Sequence, residues 1–260
     1  MINHINLKKA IFLLFWLILA VFSLQSAQAG TLSWVSQDRW VTVKRVIDGD
    51  TFVTRKGEKV RLLGMNTPET RHRSSPAQPF GKQAKIALTT LIANQQVRLT
   101  FDREKQDKYQ RTLAHVYLRG GLWVNAEMLR LGLAHVYTFT PNIAAAKKLL
   151  HVEQQAIAEN KGMWGHKRWK TLTPKQLKTS MLGQFRLLRG KVEKVDKKGW
   201  KFYIGKLAVS IPRKYRKGFK ARDKVRRGDM VLVRGRLRMS KKGQWFLSVH
   251  TPSDISHKIK

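Results

Sequence analysis

The chain of 260 residues contains no cysteine. A disulfide framework, a thiolate metal site and a cysteine nucleophile are therefore excluded. Acidic residues are scarce as well, because 16 Asp and Glu stand against 52 Lys and Arg, for a formal net charge of +36. The apolar run at residues 10–24 is shorter than the ~20 residues that a membrane-spanning helix needs. These absences point away from a disulfide-stabilised protein and towards partners that carry negative charge.

The N-terminal segment has the three parts of a secretory signal peptide. Lys8 and Lys9 precede the apolar run, and the Ala-Gln-Ala at 27–29 has the small side chains of a signal-peptidase site. We therefore expect residues 1–29 to be removed before Gly30, which predicts a secreted or periplasmic mature protein. An uncleaved membrane anchor is the alternative.

The positive charge is unevenly distributed along the chain. Residues 30–165 contain 21 basic and 11 acidic residues, whereas residues 166–260 contain 29 and 5. Charge of this density favours polyanions through counterion release, so we expect DNA and RNA as partners. An anionic cell-envelope surface is a competing partner. The third alternative is a solvated basic surface with no specific partner.

The pattern of apolar residues divides the chain into two parts, with no internal repeat evident. Strand-like and helical segments mix over residues 30–165, which predicts an α+β domain. Residues 166–181 are interpreted as a basic linker. Five strand-like segments separated by glycines follow over residues 182–260 and predict a smaller all-β domain. An OB-like barrel is the preferred fold for this second part, and an SH3-like barrel is the competitor.

Three short motifs in the first part carry chemically useful side chains. They are Ile-Asp-Gly-Asp-Thr-Phe at 47–52, Arg-Leu-Leu-Gly-Met-Asn-Thr-Pro-Glu at 61–69, and Asp-Lys-Tyr-Gln-Arg at 107–111. Arginine binds phosphate through bidentate, charge-assisted hydrogen bonds. Carboxylates grouped with neutral oxygens suit a hard cation such as Ca²⁺, and a glutamate beside them can orient or deprotonate water. Together these groups are what phosphodiester hydrolysis needs.

In order and spacing, the three motifs closely resemble those of the staphylococcal nuclease (thermonuclease) family over residues 40–164. The resemblance implies the family's OB-like barrel with three helices for the first part. It also implies a Ca²⁺-dependent, sugar-nonspecific nuclease that hydrolyses DNA and RNA and leaves 3′-phosphate ends.

The resemblance assigns a role to each matching catalytic side chain. It implies that Arg61 and Arg111 contact the scissile phosphate and stabilise the charge that develops in the transition state. It implies that Glu69 is the general base or positions the attacking water. The implied substrate-binding residues are Lys108, Tyr109 and Tyr137.

The metal site is where the chain departs from the family pattern. The resemblance implies that Asp50, Asn66 and the main-chain carbonyl of Thr67 bind Ca²⁺, while Asp48 supports the metal's water shell. Family nucleases usually have aspartate where this chain has Asn66. An amide oxygen still coordinates Ca²⁺ but lacks the charge, so weaker metal binding is expected. The alternative function is a non-catalytic nucleic-acid binder that retains the nuclease fold.

Overall fold

A computed structural model describes residues 38–70 and 77–257. The predicted signal peptide at residues 1–29 lies outside these ranges. Within them, no helix has the length and apolar character needed to cross a membrane.

The first part of the chain closes into a five-stranded barrel. Its strands are β1 (Arg39–Asp48), β2 (Thr51–Thr54), β3 (Lys59–Leu62), β5 (Gln96–Thr100) and β6 (Thr112–Tyr117). Two further strands, β4 (Met65–Asn66) and β7 (His135–Val136), pair with each other outside it. Around the barrel the order is β1-β2-β3-β6-β5, and β3 pairs with β6 in parallel.

Alternation of side chains explains why these segments form strands. In β5, Val97 and Leu99 are fully buried between more exposed polar neighbours. The strands close over an apolar core because each contributes every second side chain to the same side. The predicted strands of the first part are confirmed.

Three α-helices cover the barrel, as the sequence predicts. They are α1 (Gly81–Ile92), α2 (Val124–Arg130) and α3 (Ala146–Ala158). In α1, Ala84, Leu88 and Ile92 are buried at intervals of four residues, which places them on one face of the helix. The α+β nuclease-type fold is therefore confirmed.

The second part of the chain is all β. Its strands are β8 (Phe185–Lys191), β9 (Lys194–Val195), β10 (Lys201–Ile204), β11 (Leu207–Ser210), β12 (Met230–Arg236), β13 (Arg238–Met239), β14 (Trp245–Ser248) and β15 (Ile255–Ser256). They form a five-stranded sheet, β13-β14-β11-β10-β9, and a three-stranded sheet, β15-β12-β8.

The strand order of this second part repeats that of the first. β8 continues into β9 and β12 continues into β13, so the chain makes five long strands. Their order is first, second, third, fifth, fourth, and the third and fifth (β11 and β14) are parallel. The barrel of the first part has the same order and the same parallel pair, which confirms the OB-like prediction over the SH3-like competitor.

A shared apolar cluster joins the two parts within one compact unit. Ala156, Met163 and Trp164 from the first part pack with Trp169 and Leu187. Trp169 lies in the segment interpreted as a linker, and its side chain is buried. The proposed boundaries at 165 and 182 stay a prediction, but the segment between them packs against both parts.

A buried ion pair crosses the same junction. Glu153 of α3 accepts a 2.5 Å hydrogen bond from Arg234 of β12, and both side chains are at most 2% exposed. The other carboxylate oxygen of Glu153 accepts the main-chain N–H of Val136 at 2.7 Å. Because Val136 lies in β7 beside the barrel, this network sets the orientation of the second part on the first.

Candidate active site

A cavity of about 670 Å³ brings most of the predicted site residues together, while Asp48, Asp50 and Thr67 are not part of its wall. Its wall contains side chains from the second and third motifs and from β7 onwards. Those named by sequence analysis are Arg61, Asn66, Glu69, Lys108, Tyr109, Arg111 and Tyr137. Lys214 and Tyr215 of the second part complete the wall. The cavity is therefore built by both parts of the chain.

Arg61 of β3 is held in one orientation by hydrogen bonds to two side chains and, more weakly, to the Met65 carbonyl. Its Nη1 donates to Asp50 Oδ1 at 2.5 Å, and its Nη2 donates to Asn66 Oδ1 at 2.7 Å. Burial opposes the charged form, but the surrounding carboxylates, foremost Asp50, outweigh it and raise the pKa of Arg61 above its ordinary value. The guanidinium is thus charged and preorganised at the cavity wall.

Asp50 depends on the glycine that precedes it. A Cβ atom at Gly49 would lie 2.6 Å from Ala84 Cβ and 2.8 Å from the Thr67 side chain. Only glycine therefore lets the β1–β2 bend approach α1 and the second motif so closely. The approach allows the Thr67 N–H to donate to Asp50 Oδ2 at 3.3 Å.

Asp48 supports Asp50 from the same bend. Its Oδ1 accepts the main-chain N–H of Asp50 at 3.1 Å. Burial, followed by repulsion from the Asp50 carboxylate, raises the pKa of Asp48 to about 7. Two carboxylates this close favour a compensating positive charge, part of which Arg61 provides.

The proposed metal ligands are all oxygen atoms, which suits Ca²⁺, but only one of them belongs to a charged side chain. Among the residues that the structure describes, no three Asp, Glu, His or Cys side chains form a metal cluster. Asp50 offers a carboxylate whose Oδ2 has only the long bond from Thr67, while Asn66 and Thr67 offer an amide and a main-chain oxygen. Oxygens of all three kinds are Ca²⁺ ligands in proteins.

Asn66 differs from an aspartate in its hydrogen bonds as well as in its charge. Its Oδ1 faces Arg61, so its Nδ2 turns to the Thr67 carbonyl and donates to it at 2.9 Å. The Asn66 amide therefore hydrogen-bonds to the Thr67 carbonyl oxygen, which by resemblance would coordinate the metal. An ionised aspartate has no N–H group and could not donate a hydrogen bond to the Thr67 carbonyl.

Glu69 lies exposed at the cavity and is held through its main chain. Its carbonyl oxygen accepts the N–H of Gln78 at 2.9 Å. A Cβ atom at Gly81 would collide with that same oxygen. Gly81, at the start of α1, is thus a positioning residue that sequence analysis missed, because a helix-initiating glycine carries no local signal of such a contact.

Arg111 is fixed by a carboxylate of its own motif. Asp107 Oδ2 accepts from Arg111 Nε at 2.8 Å, and Asp107 Oδ1 accepts the main-chain N–H groups of Arg111 and Tyr109. Burial works against the charged form, but these hydrogen bonds outweigh it and lower the pKa of Asp107. Tyr109, 67% exposed, lies beside Arg111 and Lys108 with both cations over its ring.

Tyr137 reaches the cavity from the end of β7. Its N–H donates to the Gly64 carbonyl at 3.0 Å, and its ring meets that of Phe139 edge to face at 4.6 Å. The structure therefore places every predicted catalytic and substrate-binding side chain at one cavity. The roles themselves stay predictions.

Comparisons of the sequence with known proteins also indicate a nuclease. The family model of the staphylococcal nuclease homologue matches residues 59–166. A thermonuclease of Staphylococcus intermedius is 41% identical over 125 residues, which are 47% of this chain and 74% of that protein. A thermonuclease of Staphylococcus hyicus is 37% identical over 127 residues, 48% of this chain and 75% of that protein.

A further relative is Endonuclease YncB of Bacillus subtilis (strain 168). It is 38% identical over 129 residues, which are 48% of this chain and 61% of that protein. Residues 167–260, which include the whole second part, lie outside the family-model match. Given the barrel, the site and these relatives, the chain belongs to the staphylococcal nuclease family and is a phosphodiester-cleaving nuclease.

Proposed function

We propose that the protein is a secreted or periplasmic, Ca²⁺-dependent nuclease that hydrolyses both DNA and RNA. The observation that carries this proposal is the meeting of Arg61, Arg111 and Glu69 at one cavity. A phosphate bound there has two guanidinium groups on it and a carboxylate beside it. Location outside the cytoplasm is supported by the signal-peptide pattern at residues 1–29.

The two arginines bind the scissile phosphate and neutralise charge in the transition state. Each is held by a carboxylate, Arg61 by Asp50 and Arg111 by Asp107, so neither has to be ordered when substrate enters. Preorganised donors of this kind are the largest single contribution to catalysis in many enzymes. Because these contacts are to phosphate and not to the bases, they support cleavage without sequence preference.

Glu69 orients the attacking water or takes its proton. Its carboxylate is exposed at the cavity, while the Gly81 contact fixes its main chain. Geometry of this kind suits a general base that has to reach a water molecule on the phosphate. By family resemblance, the products carry 3′-phosphate ends.

Asp50, Asn66 and the Thr67 carbonyl would hold Ca²⁺, with Asp48 hydrogen-bonded behind Asp50. When bound, the ion supplies positive charge next to the phosphate oxygens. Since the set has one carboxylate where the family pattern has two, we expect a higher Ca²⁺ requirement than in a nuclease with aspartate at position 66.

Digestion of plasmid DNA and of RNA by purified residues 30–260 tests the proposal. We expect cleavage of both in Ca²⁺, none in chelator, and 3′-phosphate on the product ends. An Arg61→Ala protein, prepared in the same way, controls for contaminating nucleases. Intact nucleic acid at all Ca²⁺ concentrations would instead favour the non-catalytic binder, for which the hydrogen bond from Asn66 to Thr67 is the supporting observation.

A further inference from the structure

A second cavity, of about 320 Å³, lies where the two parts of the chain meet. Tyr137 of the barrel forms one side. The other side consists of residues of the second part, chiefly Lys214, Tyr215, Arg236, Arg238 and His250. We call these five residues the flanking subsite.

The second cavity adjoins the catalytic cavity. Tyr137, Lys214 and Tyr215 line both of them. A nucleic-acid strand bound at Arg61 and Arg111 can therefore continue along this shared wall into the second cavity. The shared residues come from both parts, so the passage exists only when the second part is docked on the barrel.

The charge of the flanking subsite is positive. Lys214, Arg236 and Arg238 are exposed there. Among the described lining residues, the one carboxylate is Asp254, whose Oδ2 already accepts the main-chain N–H groups of His250 and Thr251. Arg236 also donates from Nη1 to the Gly183 carbonyl at 2.9 Å, and all three cations keep further N–H groups for an anion entering the cavity.

Aromatic rings form a row between the two cavities. Tyr137 meets Phe139, the ring of Phe139 stacks on His250 with centroids 4.9 Å apart, and His250 contacts Tyr215 at 4.6 Å. Burial, with help from Lys214 and Arg238, lowers the pKa of His250 to about 4. The row is thus uncharged at neutral pH, with cations along its edge, which is the arrangement that binds nucleobases by stacking.

We propose that the flanking subsite binds one nucleotide of single-stranded nucleic acid, immediately beyond the two nucleosides that the scissile phosphate joins. The base stacks on Tyr215, and the phosphate contacts Lys214, Arg236 and Arg238. A pocket of ~300 Å³ has the size of a small-molecule site, so it admits a single nucleotide with an exposed base face and excludes a duplex. This inference rests on the proposed nuclease function and assigns the second part a direct role in substrate choice.

Kinetics with substrates of two lengths test the proposal. A dinucleotide spans the catalytic cavity alone, whereas a longer single strand also reaches the flanking subsite. For Tyr215→Ala, we expect the ratio of kcat/KM on the longer strand to that on the dinucleotide to fall about 5- to 150-fold, as loss of one stacked base implies. For Arg238→Ala, which removes a phosphate contact, we expect the same ratio to fall as well. Tyr203→Ala and Lys217→Ala are the matched controls, because both residues lie in the second part but not in either cavity wall.

An unchanged length ratio in Tyr215→Ala and Arg238→Ala proteins that melt like the parent protein overturns the proposal. If the parent protein cleaves nothing, the proposed function fails, and binding still decides the inference. A labelled single-stranded oligonucleotide, titrated in chelator, should bind these two variants more weakly than the controls. Equal binding, or a loss confined to anionic phosphatidylglycerol vesicles at matched salt, contradicts the subsite.

Discussion

The chain contains two OB-like arrangements, and only the first carries the nuclease site. In the first, the predicted site residues lie on the β1–β2 bend, on β3 and the segment from β4 to Glu69, and in the loop before β6. In the second, the corresponding bends are Asp-Lys-Lys-Gly-Trp at 196–200 and Ser-Lys-Lys-Gly-Gln at 240–244, with one carboxylate between them and no arginine. Identical strand order thus provides the same positions for loops, and the side chains placed there decide the chemistry.

The second arrangement contributes in a different way. Its 3₁₀ segment at Arg213–Gly218 supplies Lys214 and Tyr215 to the wall of the catalytic cavity. Its own bend at Asp196 is closed by a hydrogen bond from the Lys201 N–H to Asp196 Oδ1. The first arrangement therefore contains the three motifs, and the second adds two side chains to the wall of their cavity.

The largest expected effect is a loss of turnover when a proposed catalytic side chain of the first arrangement is removed. Arg61→Ala and Arg111→Ala should each lower kcat by about 10²–10³-fold, as loss of one transition-state donor does in other enzymes, and Glu69→Ala should do likewise. Arg45→Ala, an exposed arginine of β1 outside the cavity wall, is the control and should leave kcat unchanged. Near-normal turnover in either cavity variant would remove that arginine from the mechanism.

The next effect concerns the junction between the two arrangements. Glu153→Gln leaves Arg234 buried without its counter-charge and should lower the free energy of unfolding by about 3–5 kcal/mol, measured by denaturant titration. Glu159→Gln, which removes an exposed ion pair with Lys161, should change it by less than about 1 kcal/mol. Equal effects of the two substitutions would contradict a junction held by this pair.

A smaller effect is expected at the metal site. Asn66→Asp adds a carboxylate and removes the donor on the Thr67 carbonyl, so the Ca²⁺ concentration for half-maximal cleavage should fall by about tenfold. Asn94→Asp adds the same charge at an exposed position elsewhere on the barrel and serves as the control. An unchanged Ca²⁺ requirement in Asn66→Asp would exclude position 66 from the ligand set.

The last effect is a pH dependence at the junction, which is about as small as the Ca²⁺ effect for each pH unit. Burial lowers the pKa of His135 to about 3, and its ring stacks on Phe185 of the second part at 3.7 Å. Below pH ~6.5 the unfolded chain binds a proton at His135 that the folded protein does not, so acid lowers the stability of the parent protein. The stabilising effect of the neutral ring is complete above pH ~6.5 and is lost progressively as pH falls towards 3.

Denaturant titrations of His135→Phe at several pH values check this expectation. Relative to the variant, the parent protein should lose about 1.4 kcal/mol for each pH unit below 6.5. His151→Phe, at an exposed position of α3, should show no such pH-dependent difference. Parallel stability curves for the parent protein and His135→Phe would mean that His135 titrates normally in the folded state.

Most of the barrel and all of its motif residues are predictable from the sequence, because their signals are local. Alternation marks β5, four-residue spacing marks α1, and the motif at 61–69 holds Arg61 and Glu69 within nine residues. Signals of this kind arise within one strand or helix and do not depend on packing elsewhere. The positioning role of Gly81 was not predictable, because it depends on a contact across a loop.

The sequence by itself determined the family and the two β arrangements, and it predicted which side chains are catalytic. Only the tertiary structure decided that the second arrangement walls the active site. Glu153 and Arg234 meet although they are 81 residues apart, and Lys214 and Tyr137 line the same cavity. Such contacts follow from how buried surfaces fit together, a property that no local pattern along the chain records.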